Sequence, residues 1–293
     1  LNDATRKAAI FIIGAPKCAT SAIARALSLH PRIAFCSVKE PRFFSHDGCF
    51  AQGLDWYHGL FGDAVGLRAE ASTSYGEAWL DHHRISAERI HAYNPSARFI
   101  YCVRHPLQRA VSEWREVSHQ LRIGNPSIER IYGVRVQTGV DAALQSVPGF
   151  LDTSNYWKTI AAYRRYFDDS RIHVVFQENW AHSPDRELTD ALRFIGIDDR
   201  FTPPSIDAVV NDKWLKARPR ALLSLARSLP GYRTLARWAP PGARALMRPF
   251  LKHHPDGESA VTTKTRIIAH QRIGADIARF LEWRGLSPSH WEC

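Results

Sequence analysis

Lys17, Thr20 and Ser21 lie in a short loop, Gly14-Ala15-Pro16-Lys17-Cys18-Ala19-Thr20-Ser21, that follows an apolar run and precedes a stretch of helical spacing. The run Ala9 to Ile13 reads as a strand buried on both faces, and Ile23 and Leu27 with Ala22, Ala24 and Ala26 read as a helix starting at Thr20. Strand, glycine-led loop and helix together aim backbone N–H groups and the positive end of a helix dipole into one concavity, which favours a phosphate or a sulfate. The loop departs from the nucleoside triphosphate pattern G-x-x-x-x-G-K-[ST]. Lys17 comes three residues early, and Ala19 and Thr20 stand where the second glycine and the lysine would be. Farther along, Arg98 to Val103 reads as a second buried strand. It is broken at Arg104-His105-Pro106 and followed by Leu107, Ala110, Val111 and Trp114 at helical spacing, with Pro106 suited to the first turn. Arg104 at the strand end can fork onto a phosphate, and Ser112 on the helix can add a hydroxyl.

These two units carry a resemblance. The tract P-K-x-[GA]-T-[ST], filled from Pro16 to Ser21, resembles the 5′-phosphosulfate loop of sulfotransferases that use 3′-phosphoadenosine 5′-phosphosulfate (PAPS). The tract R-x-P-x-x-R-x-x-S, filled by Arg104, Pro106, Arg109 and Ser112, resembles the 3′-phosphate element of the same enzymes. The resemblance implies that Lys17, Cys18, Ala19, Thr20, Ser21, Arg104 and Ser112 bind PAPS, that Lys17 also stabilises charge on the leaving phosphate, and that no metal is needed. A third tract, K-E-P-x-F-F from Lys39 to Phe44, resembles the segment of carbohydrate sulfotransferases that carries the catalytic acid, so Glu40 is the implied general base. Apart from that likeness, Glu40 reads as a solvated turn residue paired with Lys39 or Arg42. The tract E-A-S-T-S-Y from Glu70 is similar to the family's E-K-[ST]-x-[ST]-Y, but Ala71 stands where the glycan enzymes often carry a lysine. Lys39 and Arg42 are the candidate substrate-binding cations in its place. The likeness covers most of residues 9 to 197 by motif order.

The elements that must position these residues alternate. Strands are expected at Ile33 to Ser37, Gly66 to Ala71 and Arg171 to Phe176, and helices at Ser86 to Tyr93, Tyr156 to Phe167, Pro184 to Ile195 and Lys264 to Leu281. This order predicts an α/β fold in which a P-loop-type central parallel sheet is flanked by helices, in one domain over 1–293. Between Arg122 and Asp152 the glycines and prolines predict loop excursions over the acceptor site.

Composition narrows the partners. The chain of 293 residues carries a net charge of +10, and from Lys213 to Pro255 it holds ten Lys or Arg with no Asp or Glu, so the remainder balances at 29 against 29. That basic, apolar segment, 213–255, reads as a solvated face, as a lid over anionic ligands, or as a dock for an acidic carrier protein or an anionic membrane surface. Balanced charge elsewhere and the lack of a nucleic-acid module argue against a nucleic-acid-binding protein. A kinase or NTPase is the other alternative, weakened by the missing G-K-[ST] ending and the lack of a clear magnesium-binding aspartate. Cys18, Cys36 and Cys102 fall in or beside predicted strands and the loop, and read as reduced core thiols, which favours the cytoplasm. No signal peptide is visible, and the opening Leu1 leaves a removed leader open. The expected acceptor is a glycan, or a small-molecule or lipid-linked natural product.

Overall fold

A computed structural model describes residues 7–63, 65–133, 139–197, 200–201 and 261–291. Strand β1 (Ala8–Gly14) is buried almost throughout, because its sequence AAIFIIG offers neither face a polar side chain. Such a strand belongs in the middle of a parallel sheet. It holds that place in a five-stranded sheet of order β2-β3-β1-β4-β5, completed by β2 (Ile33–Phe35), β3 (Leu67–Ala71), β4 (Arg98–Val103) and β5 (Ile172–Phe176). Every neighbouring pair is parallel, as the alternation of strands and helices predicts.

Among the described residues, the helices longer than one turn are α1 (Thr20–Ser28), α2 (Gly53–Gly59), α3 (His82–Tyr93), α4 (Pro106–Arg122), α5 (Pro126–Tyr132), α6 (Val140–Ser146), α7 (Pro148–Asp152), α8 (Tyr156–Tyr163), α9 (Gln177–His182), α10 (Pro184–Ile195) and α11 (Thr263–Trp283). Helices α1 and α10 pack on each other, and α8 packs between α3 and α11. Asp276 on α11 accepts the N–H groups of Trp157 and Lys158 at 2.8 Å each, which caps the first turn of α8. No helix among the described residues is long and apolar enough to cross a membrane.

Two expectations need correction. The stretch from Arg122 to Asp152 forms three short helices, α5 to α7, around the undescribed residues 134–138. Its glycines and prolines are helix punctuation: Pro126 and Pro148 open helices, and Gly133, at φ 67°, closes one. Helix α3 begins at His82, a turn ahead of the expected Ser86, with Asp81 at its N-cap in the left-handed region, φ 56°. The basic segment 213–255 lies outside the described residues.

Parallel strands send all their following loops to one edge, so the residues after β1 to β5 gather along the carboxyl ends of the sheet. The turn after β3, Thr73–Gly76, is wedged there. Tyr163 on α8 donates its hydroxyl to the Tyr75 carbonyl at 3.0 Å, and Thr159 donates to that of Gly76 at 2.9 Å. A Cβ at position 76 would stand 2.4 Å from the Ile13 carbonyl oxygen and 3.1 Å from the Tyr101 ring. Because the first obstacle is backbone of the central strand, Gly76→Ala is expected to cost about 2 kcal/mol or more, read as a lower urea midpoint at unchanged slope.

Candidate active site

The loop between β1 and α1 is shaped to receive an anion. Lys17 and Ala19 hold left-handed backbone at φ 70° and 62°, a conformation that turns successive N–H groups toward a common point. Ala19 is the N-cap of α1 and offers no side-chain cap, so the first N–H groups of that helix are left for another acceptor. Thr20 is buried and Ser21 exposed. The Cys18 thiol is fully buried, which pushes its pKa up to about 12, so Cys18 can contribute its backbone N–H and not a thiolate. Lys17 Nζ lies 3.3 Å from Glu116 Oε2 on α4.

Strand β4 is the direct neighbour of β1, and the Ala15 N–H donates to the Cys102 carbonyl at 2.6 Å. The turn that follows β4 is held from two sides. The Tyr156 hydroxyl donates to the Arg104 carbonyl at 2.7 Å, and the His105 N–H donates to Glu178 Oε1 at 2.8 Å. The guanidinium of Arg104 reaches Gln108 Oε1 through Nη2 at 3.3 Å, while its buried Nε has no hydrogen-bond partner among the described residues. A buried, unpaired donor on a cation fits an anionic ligand. Ser112 is half-buried on α4, one turn before Glu116. Arg109 has a different task. Fully buried, it pairs with Glu113, donates to Ser154 Oγ at 2.6 Å and bonds the Phe150 carbonyl. Glu113 in turn accepts from the Tyr132 hydroxyl at 2.6 Å, so Arg109 fastens α5 and α7 to α4.

On the other flank, the segment after β2 carries Glu40 between two exposed cations, Lys39 and Arg42. Phe43 and Phe44 anchor it: Phe43 stacks on Tyr57 at 4.5 Å, and Phe44 meets Phe11 of the central strand edge-on at 5.8 Å. Glu40 Oε2 accepts the Thr73 N–H at 2.7 Å and the Thr73 hydroxyl at 3.2 Å. Burial raises the carboxyl pKa above its usual value, against the pull of those hydrogen bonds and of Arg42 and Lys39. Thr73 also adjoins the anion loop, since a Cβ on Gly14 would stand 3.0 Å from the Thr73 carbonyl oxygen. Glu40, Thr73, the loop and α4 are therefore consecutive neighbours along the sheet edge. Ala71 is buried and brings no charge.

Three residues that set this geometry were not singled out as site residues from the sequence: Glu178, Tyr156 and Glu116. Glu178 stands two residues past the end of β5, in the first turn of α9, and a carboxylate just after a strand's carboxyl end is the same signal that Glu40 offers. Glu116 lies one helical turn past Ser112, and that spacing was a usable signal. Among the described residues no group of three or more His, Cys, Asp or Glu side chains is placed to hold a metal ion.

Comparison with known proteins bears on the family and the fold. The family model described as sulfotransferase domain matches residues 7–215. The chain is similar to human heparan sulfate glucosamine 3-O-sulfotransferase 6, 29% identical over 188 residues that cover 64% of this chain and 51% of that protein. It is also similar to mouse heparan sulfate glucosamine 3-O-sulfotransferase 5, 25% identical over 193 residues, 65% of this chain and 54% of that protein. The chain spans about half the length of these curated relatives. In fold it is similar to a sulfotransferase from Alicyclobacillus acidocaldarius, with a TM-score of 0.59 at 20% identity over 97% of this chain and 98% of that one.

Proposed function

This chain belongs to the sulfotransferase domain family, and on that footing we propose that it transfers a sulfuryl group from PAPS to a hydroxyl or amine of an acceptor. The observation that carries the reading is Thr73, which holds the Glu40 carboxylate on one side and adjoins the anion loop on the other. PAPS supplies a sulfuryl group already activated on a phosphate. Arg104 and Ser112 bind its 3′-phosphate and fix its register. Lys17, the uncapped N–H groups of α1 and the hydroxyls of Thr20 and Ser21 offset charge that builds on the 5′-phosphate as its bond to sulfur breaks. Glu40 takes the proton from the acceptor as the new bond to sulfur forms, a role helped by a pKa raised through burial. Lys39 and Arg42, exposed beside it, hold the acceptor. Sulfuryl transfer resembles phosphoryl transfer in depending mostly on alignment and charge neutralisation, which fixed side chains provide.

A glycan acceptor is supported by the curated relatives, whose names give heparan sulfate glucosamine as their substrate. Ala71 and the apolar, basic run 213–255 support a lipid-linked or carrier-bound natural product as the second reading. Incubation with PAPS and a panel of both acceptor types, followed by mass spectrometry, tests the proposal. A sulfated product formed with matching release of 3′-phosphoadenosine 5′-phosphate (PAP) supports it. Consumption of ATP with magnesium, and none of PAPS, would point to a kinase or NTPase.

Glu116 has a measurable consequence in this scheme. Its carboxylate neutralises Lys17 and would lie near the donor's anionic 5′ end, so Glu116→Gln is expected to tighten PAP binding about threefold in low-salt calorimetry. Unchanged or weaker binding would remove Lys17 from the 5′-phosphate contact.

A further inference from the structure

We propose that Glu70 is a positioning residue for sulfuryl transfer: from beneath the site it fixes the backbone of residues 40 to 45, and with it the direction of the Glu40 carboxylate. The inference rests on the reading of Glu40 as the base. Glu70 lies on β3 and is wholly buried, a place where a carboxyl group costs stability unless its oxygens are satisfied. They are. Oε1 accepts the hydroxyls of Tyr57 and Tyr75, each at 2.8 Å, and Oε2 accepts that of Ser72 at 3.4 Å. Burial still pushes the carboxyl up to about 7, so a leucine would be the simpler core residue.

What Glu70 provides is direction. A hydroxyl has one hydrogen to donate and lone pairs to accept with. Because Glu70 takes the hydrogens of Ser72 and Tyr75, their oxygens are left to accept from the segment that carries the base. Ser72 Oγ accepts the Arg42 N–H at 3.0 Å, and the Tyr75 hydroxyl oxygen accepts the Phe44 N–H at 3.3 Å. Ser74 adds a hydroxyl contact to Ser45 at 2.7 Å. The segment needs such support, since Glu40 and Arg42 both hold left-handed backbone, at φ 57° and 56°, a conformation that persists in ordinary residues only where neighbours enforce it.

Hydrogen exchange by mass spectrometry, paired with PAP calorimetry, tests this without a known acceptor. Glu70→Ala is expected to raise amide exchange in the 40–46 segment about tenfold or more. Exchange in the 14–21 loop and in α4, and the Kd for PAP, should stay within about twofold of wild type, the spread of surface-level perturbation. Glu70→Gln, which keeps an acceptor for the tyrosines, should restore most of the protection. If Glu70→Ala does not fold, Ser72→Ala decides, with the same local loosening expected. Unchanged protection in the alanine variants, or exchange rising uniformly across the sheet with loss of PAP binding, would reduce Glu70 to a core residue. Full turnover in Glu40→Gln would instead remove the base assignment and leave the exchange result standing.

Discussion

Glu40→Gln is expected to lower kcat by about three orders of magnitude while leaving the Kd for PAP unchanged, since a positioned general base contributes roughly 10²–10⁴-fold. Glutamine is the informative replacement because its amide oxygen can still accept the Thr73 N–H that Glu40 accepts at 2.7 Å. The segment then keeps its shape, and only the ability to take a proton is lost. The anion loop adjoins Thr73 at its carbonyl oxygen, a contact that the substitution leaves in place, so donor affinity is expected to stay. Single-turnover sulfation with an acceptor from the panel, alongside PAP calorimetry, separates the two quantities. Full activity would pass the base role to a histidine or to water, while a parallel loss of PAP binding would mean that Glu40 shapes the donor site.

Arg104→Ala is expected to weaken PAP binding about a hundredfold, or roughly 2.7 kcal/mol, the range of charge-assisted contacts to a phosphate in a partly buried site. The turn that presents Arg104 should survive the change, because its supports act on backbone: Tyr156 on the residue 104 carbonyl and Glu178 on the His105 N–H. Thermal stability near wild type, together with the lost affinity, would therefore assign the effect to the missing guanidinium. Lys17→Ala is expected to cost less, about tenfold, because the lysine acts as a point charge that Glu116 already balances in part. Wild-type affinity in both variants would remove the donor-site assignment.

Much of this arrangement was legible in the sequence because it depends on local rules. The run through Ile13 and the small residues after Thr20 announced a strand, turn and helix, and RFIYCV before Arg104-His105-Pro106 announced another; both are where they were expected. Glu40 is marked in the sequence only by the likeness of its tract to a sulfotransferase segment; local rules alone read it as a solvated turn residue, and what they do account for is the burial of Phe43 and Phe44 beside it. What stayed hidden depends on side chains that meet across long stretches of chain. The tie between His105 and Glu178 spans 73 positions, and that between Lys17 and Glu116 spans 99, so neither pairing follows from local spacing, although the helical register places Glu116 one turn past Ser112. Arg109 shows the opposite difficulty. Its place in a tract that resembles a phosphate-binding element says nothing of a guanidinium committed to Glu113, Ser154 and Phe150. The helices between Arg122 and Asp152 escaped notice because each is too short to show a hydrophobic period of its own.

The central claim is that the β1 loop and the Arg104 turn, on neighbouring strands, grip two ends of one nucleotide. Calorimetric titration with PAP and with adenosine 5′-phosphate, which lacks the 3′-phosphate, tests it most directly. The account predicts that PAP binds about a hundredfold tighter than adenosine 5′-phosphate, and that Arg104→Ala removes most of that difference. Equal affinity for the two nucleotides, or a preference that survives Arg104→Ala intact, would contradict it.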